Sequence, residues 1–284
     1  MSATMLTGLP RTVLRLHRSA LLAWTVFVAG MSGWLVWLTE VTAKNPEPQG
    51  LLCFDACGQP YVLLDFATEM QWACTLIGYC FVGIAAFAGG ALTGRELESG
   101  TAQLAWTQGV SPVRWLAAKL ALPAVALTVG GTVLVLVFRW ASTAHRTQDW
   151  TTSATMFTDR GPLVVAYALC ALAVGTLTGL LLRRALASLG AAAAVMLLLY
   201  TVLTSFRVHL WPTVTRTGPH AFDLPDNVWL VSEGSNAHGR FATYHPASHY
   251  WPLHLTETAI VLTVAALAVL ASFRVLRHRL ESRV

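Results

Sequence analysis

Three groups of residues in this sequence have types and spacings that suit chemistry. Cys53 and Cys57 stand in C-F-D-A-C. Thiols at that spacing form a disulfide where the compartment permits oxidation, and a metal or redox pair is the alternative. Six of the nine histidines (His209, His220, His238, His245, His249 and His254) fall in one stretch near the C-terminus. His245 and His249, in H-P-A-S-H, would share a face if the stretch were helical, which admits a transition-metal site. The surroundings read as loop and no Cys or carboxylate cluster supports a metal, so ordinary polar surface is the plainer reading. The third group is Glu96, Glu98, Arg114 and Lys119 within the stretch Gly94–Lys119.

Several chemistries are absent from the sequence. A P-loop needs Gly-Lys-Ser/Thr to hold phosphates, but the only lysines, Lys44 and Lys119, each follow Ala. There is no H-E-x-x-H and no catalytic triad among the apolar segments. The sequence predicts no enzyme site, no metal and no cofactor on this chain.

The elements that must carry these residues are set by composition. The chain has 284 residues, 55% of them hydrophobic and 12% charged, with a mean hydropathy of +0.56. Soluble domains carry about 25% charged residues. Six runs lack Asp, Glu, Lys and Arg: approximately Ala20–Leu38, Trp72–Thr93, Leu120–Phe138, Pro162–Leu182, Ala185–Ser205 and Ala259–Phe273. A helix that crosses ~30 Å of hydrocarbon needs about 20 apolar residues. The runs are continuously apolar rather than alternating, so they read as helices of an all-α polytopic protein. The first is too long for a signal-peptide core and reads as a retained span.

Twelve of the nineteen basic residues, against three acids, fall on one side of such a bundle. The positive-inside rule then puts both termini and Gly94–Lys119 in the cytoplasm of a multi-pass cell-membrane protein. The basic excess reflects topology and implies no nucleic acid. Trp37, Trp72, Trp140, Trp211, Trp251 and Trp24 fall near span ends and read as an interfacial belt. Residues 1–19 read as a basic amphipathic helix on the inner surface, or as a flank that only sets topology. Residues 206–258 are too aromatic for a disordered tail; short helices or re-entrant turns over the outer mouth are expected. Cys74, Cys80 and Cys170 read as packing residues. Gly175 and Gly179 form a small-xxx-small pair, either internal packing or a dimer seam. Pro123 bends the third span. The whole of residues 1–284 reads as one transmembrane domain.

Within residues 94–119, Leu97, Thr101, Leu104, Ala105 and Gln108 recur at helical spacing. Gly109 suits a left-handed helix end, Ser111 a cap, and Pro112 the first position of the next helix. A short structured helix between two spans is a natural docking element.

G-R-E-L-E-S-G-T, followed by a break and R-W, resembles the coupling region of ABC-2 type exporter permeases. The W-T-Q variant looks like their actinobacterial branch. The resemblance extends to the basic N-terminal helix, six spans and the long outer segment before the last. It implies two six-span subunits, identical or not, each held to a separate cytoplasmic ATPase that binds ATP and Mg. It also implies roles. Glu96 and Glu98 would pair with basic residues of the ATPase, and Gly100 would allow close approach. Thr101 and Gln108 would lie on the docking helix, with Leu104 and Trp106 as anchors. Arg114 and Lys119, with Arg11, Arg15 and Arg18, would meet phospholipid head groups. Spans free of carboxylates fit energy arriving from outside the membrane and a lipophilic, amphipathic or peptide-like cargo. A non-transport sensor, immunity or assembly protein is the alternative.

Overall fold

The computed structural model describes residues 4–42, 61–144, 150–151, 153–225, 227–236 and 239–281. Cys53 and Cys57 lie outside the described residues. Among the described residues, six helices are long and apolar enough to cross a membrane, within Arg18–Val41, Thr68–Glu98, Pro112–Thr143, Leu163–Leu182, Ala185–His209 and Ala247–Arg279.

Helix α1 runs Thr4–Trp37 and passes into a π segment, Leu38–Thr42. Its 34 residues form one rod of about 51 Å at ~1.5 Å per residue. The expected N-terminal surface helix is therefore no separate element. No glycine or proline interrupts the chain between Thr12 and Ala29, so the helix continues into the span. The second span is broken into α2 (Tyr61–Gly78), α3 (Cys80–Phe87) and a π segment, Ala88–Gly94. Two short helices, α4 (Arg95–Glu98) and α5 (Thr101–Thr107), lead to α6 (Pro112–Ala144), which contains Pro123. A short α7 (Ala154–Asp159) precedes α8 (Leu163–Leu182) and α9 (Ala185–Phe206). The last span is α10, Tyr250–Glu281.

Helix α8 is the axis of the bundle. It packs against α3, the second π segment, α6, α9 and α10. Its small residues permit that approach. A Cβ on Gly175 would lie 2.6 Å from the Ala85 carbonyl oxygen and 2.7 Å from the Ala88 Cβ, and one on Gly179 would overlap the Thr93 hydroxyl. The Gly175–Gly179 pair is thus internal packing and forms no dimer seam. Gly89 serves α9 in the same way, with a Cβ there falling 2.6 Å from the Ser188 carbonyl oxygen. Cys74 and Cys170 are buried packing thiols in separate hydrophobic clusters.

Residues 206–258 depart from expectation. They contain an antiparallel sheet of order β1-β3-β2, with β1 Val214–Thr217, β2 Trp229–Asn236 and β3 Gly239–His245. Trp229 pairs with His245 and Asn236 with Gly239, with a register shift between Leu230 and Ser232. β-branched and aromatic residues favour such pairing. The strands are short and half-exposed, so no apolar run announces them. The sheet lies between α9 and α10, at the opposite end of the bundle from α4 and α5.

Candidate functional site

The island is built by two left-handed glycines. Gly100 (φ 75°) turns the chain between α4 and α5, and Gly109 (φ 90°) ends α5. A Cβ on Gly100 would meet only Gln103 Oε1, at 3.8 Å, so within the chain the glycine serves its left-handed conformation. The Thr101 hydroxyl donates to the Glu96 carbonyl at 3.3 Å and steadies the same turn. Ser111 Oγ accepts the Arg114 N–H at 3.4 Å as α6 begins at Pro112.

The two short helices have an inner and an outer face. Leu97, Ala102 and Trp106 pack inward on Trp115, Leu116, Leu180 and Leu276. The Trp106 and Trp115 rings meet edge to face, 5.6 Å apart. Trp106 is therefore committed to the core of the island and is not an outward anchor. Leu104 is the reverse, 59% exposed on the outer face beside exposed Thr101, Gln103 and Gln108.

The charges also sort differently from expectation. Lys119 is 3% exposed; its ammonium donates to Glu96 Oε1 at 2.5 Å and to the Leu92 carbonyl at 2.7 Å. It does not reach lipid head groups, because α6 carries it under the island. The Trp115 indole N–H donates to Glu96 Oε2 at 3.3 Å, so both oxygens of Glu96 are engaged within the chain. Glu98 Oε2 accepts the Ala185 N–H at 2.8 Å. This places a carboxylate on the first free N–H of α9, where the helix dipole favours negative charge. Arg279 completes the hairpin by donating to the Leu180 and Leu181 carbonyls at the end of α8. Arg18 and Arg114 are exposed; the side chains of Arg11 and Arg15 lie outside the described residues.

At the opposite end is a buried polar cluster that sequence reasoning missed. Arg207, 2% exposed, donates from Nε to Glu257 Oε2 at 2.6 Å and from Nη2 to Oε1 at 3.0 Å. The Tyr167 hydroxyl donates to Glu257 Oε1 at 2.9 Å. Arg207 also reaches the Ala154 carbonyl (3.2 Å) and the Thr158 hydroxyl (3.4 Å), and lies 4.3 Å over the Phe157 ring. The cluster ties α8, α9 and α10 to α7. Asp159 is fully buried nearby, and neither oxygen has a hydrogen-bond partner among the described residues. Burial holds its carboxyl well above the usual carboxylate range and favours its protonated form. His254 Nε2 accepts the Leu163 N–H at 3.1 Å, a first-turn donor of α8 with no acceptor within its own helix.

The expectation of a carboxylate-free interior is corrected by Glu257, which sits inside the sixth membrane-length helix. That helix starts at Tyr250, well before the expected Ala259. A window that excludes charge stops at Glu257; the usable signal was Arg207 and Glu257 flanking the last two apolar runs.

Between α1, α3 and α6 lies an apolar cavity of about 600 Å³, lined by residues including Trp24, Phe27, Tyr79, Phe87 and Pro123. Trp24 is part of this seam. Its indole donates to the Ala126 carbonyl at 2.9 Å, an approach possible because Gly130 has no side chain. Trp37, Trp72, Trp140, Trp211 and Trp251 are each at least 40% exposed.

No curated protein and no solved structure matches the chain. Residues 20–207, more than half of the sequence, match the family described as ABC-2 membrane transporter related. The match runs from within the first membrane-length helix to near the end of the fifth and takes in the whole island. With six apolar helices in the bundle, this is a multi-pass membrane protein, and the chain belongs to the ABC-2 membrane transporter related family.

Proposed function

We propose that the chain is the permease subunit of an ATP-driven exporter, with the ATPase on a separate polypeptide. The observation that carries the reading is the outer face of α5. Leu104 stands exposed on a short helix that Gly100, Gly109 and the Trp106–Trp115 contact hold in one orientation. An apolar anchor on a preorganised helix is what an interface pocket takes. The basic residues gathered at that end favour a cytoplasmic location for it. The exposed apolar faces of α1 and α9, which include Val26, Leu186 and Leu198, favour a bundle that meets lipid or a second permease. An amphipathic or lipophilic cargo fits the apolar seam at Trp24 and Phe27.

The test is co-expression with the candidate ATPase, purification through the permease, and measurement of vanadate-sensitive ATP hydrolysis. Leu104→Glu should lose the ATPase and its activity while the permease keeps its thermal stability. Glu98→Gln is made separately, because Glu98 caps α9 and its loss disturbs the fold as well as a docking surface. A Leu104→Glu permease that co-purifies with full ATPase activity would refute the assignment.

A further inference from the structure

We infer that His245 and His249 form a two-imidazole site for a divalent transition-metal ion of the zinc class. His245 ends β3, and its ring is fully buried against the Trp229 ring. The chain then runs extended through Pro246 (φ −69°, ψ 163°) into a single 3-10 turn, Ala247–His249. That turn, closed by the His249 N–H on the Pro246 carbonyl at 2.9 Å, brings the second ring back onto the first. Their Nδ1 atoms are 3.1 Å apart.

The protons can be assigned from the partners. His245 Nε2 lies 3.0 Å from the Val208 carbonyl oxygen. A carbonyl only accepts, so Nε2 carries the hydrogen and Nδ1 of the neutral ring is a bare lone pair. Without metal, the 3.1 Å contact is then a hydrogen bond in which His249 Nδ1–H donates to His245 Nδ1. A ligand imidazole whose far N–H is held by a backbone carbonyl is the arrangement that fixes tautomer and ring direction at metal centres. The spacing also fits. Two metal–nitrogen bonds of ~2.0–2.1 Å separate their nitrogens by about 3.3 Å at a tetrahedral angle and about 2.9 Å at a right angle.

On binding, the metal takes both Nδ1 lone pairs, and the His249 proton moves to its own Nε2, so the pair remains neutral. No third side-chain ligand stands at the pair among the described residues, so water would complete the coordination from the half-exposed His249 side. Nitrogen donors select zinc, copper or nickel over magnesium and calcium. The ion would bridge β3 to the turn that opens α10, while the Val208 carbonyl carries the link to the end of α9.

The test uses the full chain in lipid nanodiscs, purified through a tag without histidine. Cobalt(II) serves as the absorbing probe and zinc as the competitor. The expected result is saturable binding of one cobalt per chain, displaced by zinc, with a zinc-dependent rise in melting temperature. His249→Asn separates a ligand from a structural histidine. Its amide sits where Nδ1 was and keeps the hydrogen bond to His245, but supplies no imidazole. It should fold as the wild type does and bind cobalt at least ~10-fold more weakly. His220→Gln, which removes an exposed histidine bonded to Asp223, should leave binding unchanged. Equal cobalt binding by wild type and His249→Asn, or no saturable binding to the wild type, overturns the site.

Discussion

Glu257→Gln tests the buried cluster most directly. Glu257 is fully buried and accepts from Arg207 Nε and Nη2 and from the Tyr167 hydroxyl. The amide has nearly the same shape, so packing is preserved and only charge and acceptor capacity change. It leaves the guanidinium, 2% exposed, without its counter-charge. Breaking a buried pair in this way costs roughly 3–5 kcal/mol. The Phe157 ring 4.3 Å from Arg207 offsets part of that, since a desolvated cation–π contact contributes about 2 kcal/mol. The Ala154 and Thr158 oxygens also remain. The net expectation is a loss of about 2–3 kcal/mol. Replacing both partners, Arg207→Met with Glu257→Leu, should lie within about 1 kcal/mol of the wild type, because paired desolvation is removed along with paired attraction. Reversible unfolding in mixed detergent, followed by tryptophan fluorescence, reads both variants. A Glu257→Gln protein as stable as the wild type, or a double variant less stable than Glu257→Gln, would refute the reasoning.

Gly179→Ala places a methyl group where the Thr93 hydroxyl lies and should cost about 1–3 kcal/mol in the same unfolding assay, whereas Gly190→Ala, at open space, should cost nothing. Asp159 gives a pH dependence. Its folded carboxyl holds a proton more tightly than the unfolded one, so its stability contribution is complete below pH ~3.8 and is lost as pH rises through the folded value. Asp159→Asn should flatten the fall in melting temperature as pH rises above ~3.8; parallel profiles for the two proteins would contradict the assignment. Gly83 lines the α1–α3–α6 cavity, with no atom within 4 Å of a Cβ built there. Gly83→Leu should fill the cavity without loss of stability and reduce transport by the assembled complex, and unchanged transport would make the cavity a passive void.

The parts of this fold legible in the sequence are those decided by nearby residues. Gly109, Ser111 and Pro112 mark a helix end and a helix start within four positions, and the structure has φ 90°, a capping hydroxyl and a first-turn proline there. The six spans are legible because hydrocarbon demands long uncharged runs. What was not legible depends on partners far along the chain. Glu96 looked like a surface acid because Lys119 and Trp115, about twenty residues on, are brought over it only when α6 packs beside the island. Trp24 looked like an interfacial anchor because its acceptor, the Ala126 carbonyl, is on another span. Glu257 looked like loop because a charge in an apolar helix is tolerable only once Arg207 and Tyr167 arrive from two other helices. His245 and His249 were four apart in a stretch without helical character, and a strand end followed by one turn brings their rings together instead.

The polar contacts at the two ends of the bundle have a common mechanical consequence. At the island end, Glu98 holds the start of α9 and Arg279, from α10, holds the end of α8. At the sheet end, Glu257 of α10 joins Tyr167 of α8 and Arg207 just past α9. Between these ends, Gly175, Gly179 and Gly89 bring α3 and the π segment into backbone contact with α8 and α9. Helices α8, α9 and α10, with the second half of the second span, are thus cross-tied at both ends and closely packed between. Helices α1 and α6 pack on each other and share the apolar cavity with α3, with no buried ion pair across that cavity among the described residues. Close-packed, hydrogen-bonded blocks move as units, and displacement collects where packing is loose. The island touches both halves: Glu98 reaches the start of α9, while Glu96 holds Lys119 and Trp115 of α6. On the proposed function, a load placed on Leu104 would reach both halves, and displacement between them would collect at the Trp24–Phe27–Pro123 seam.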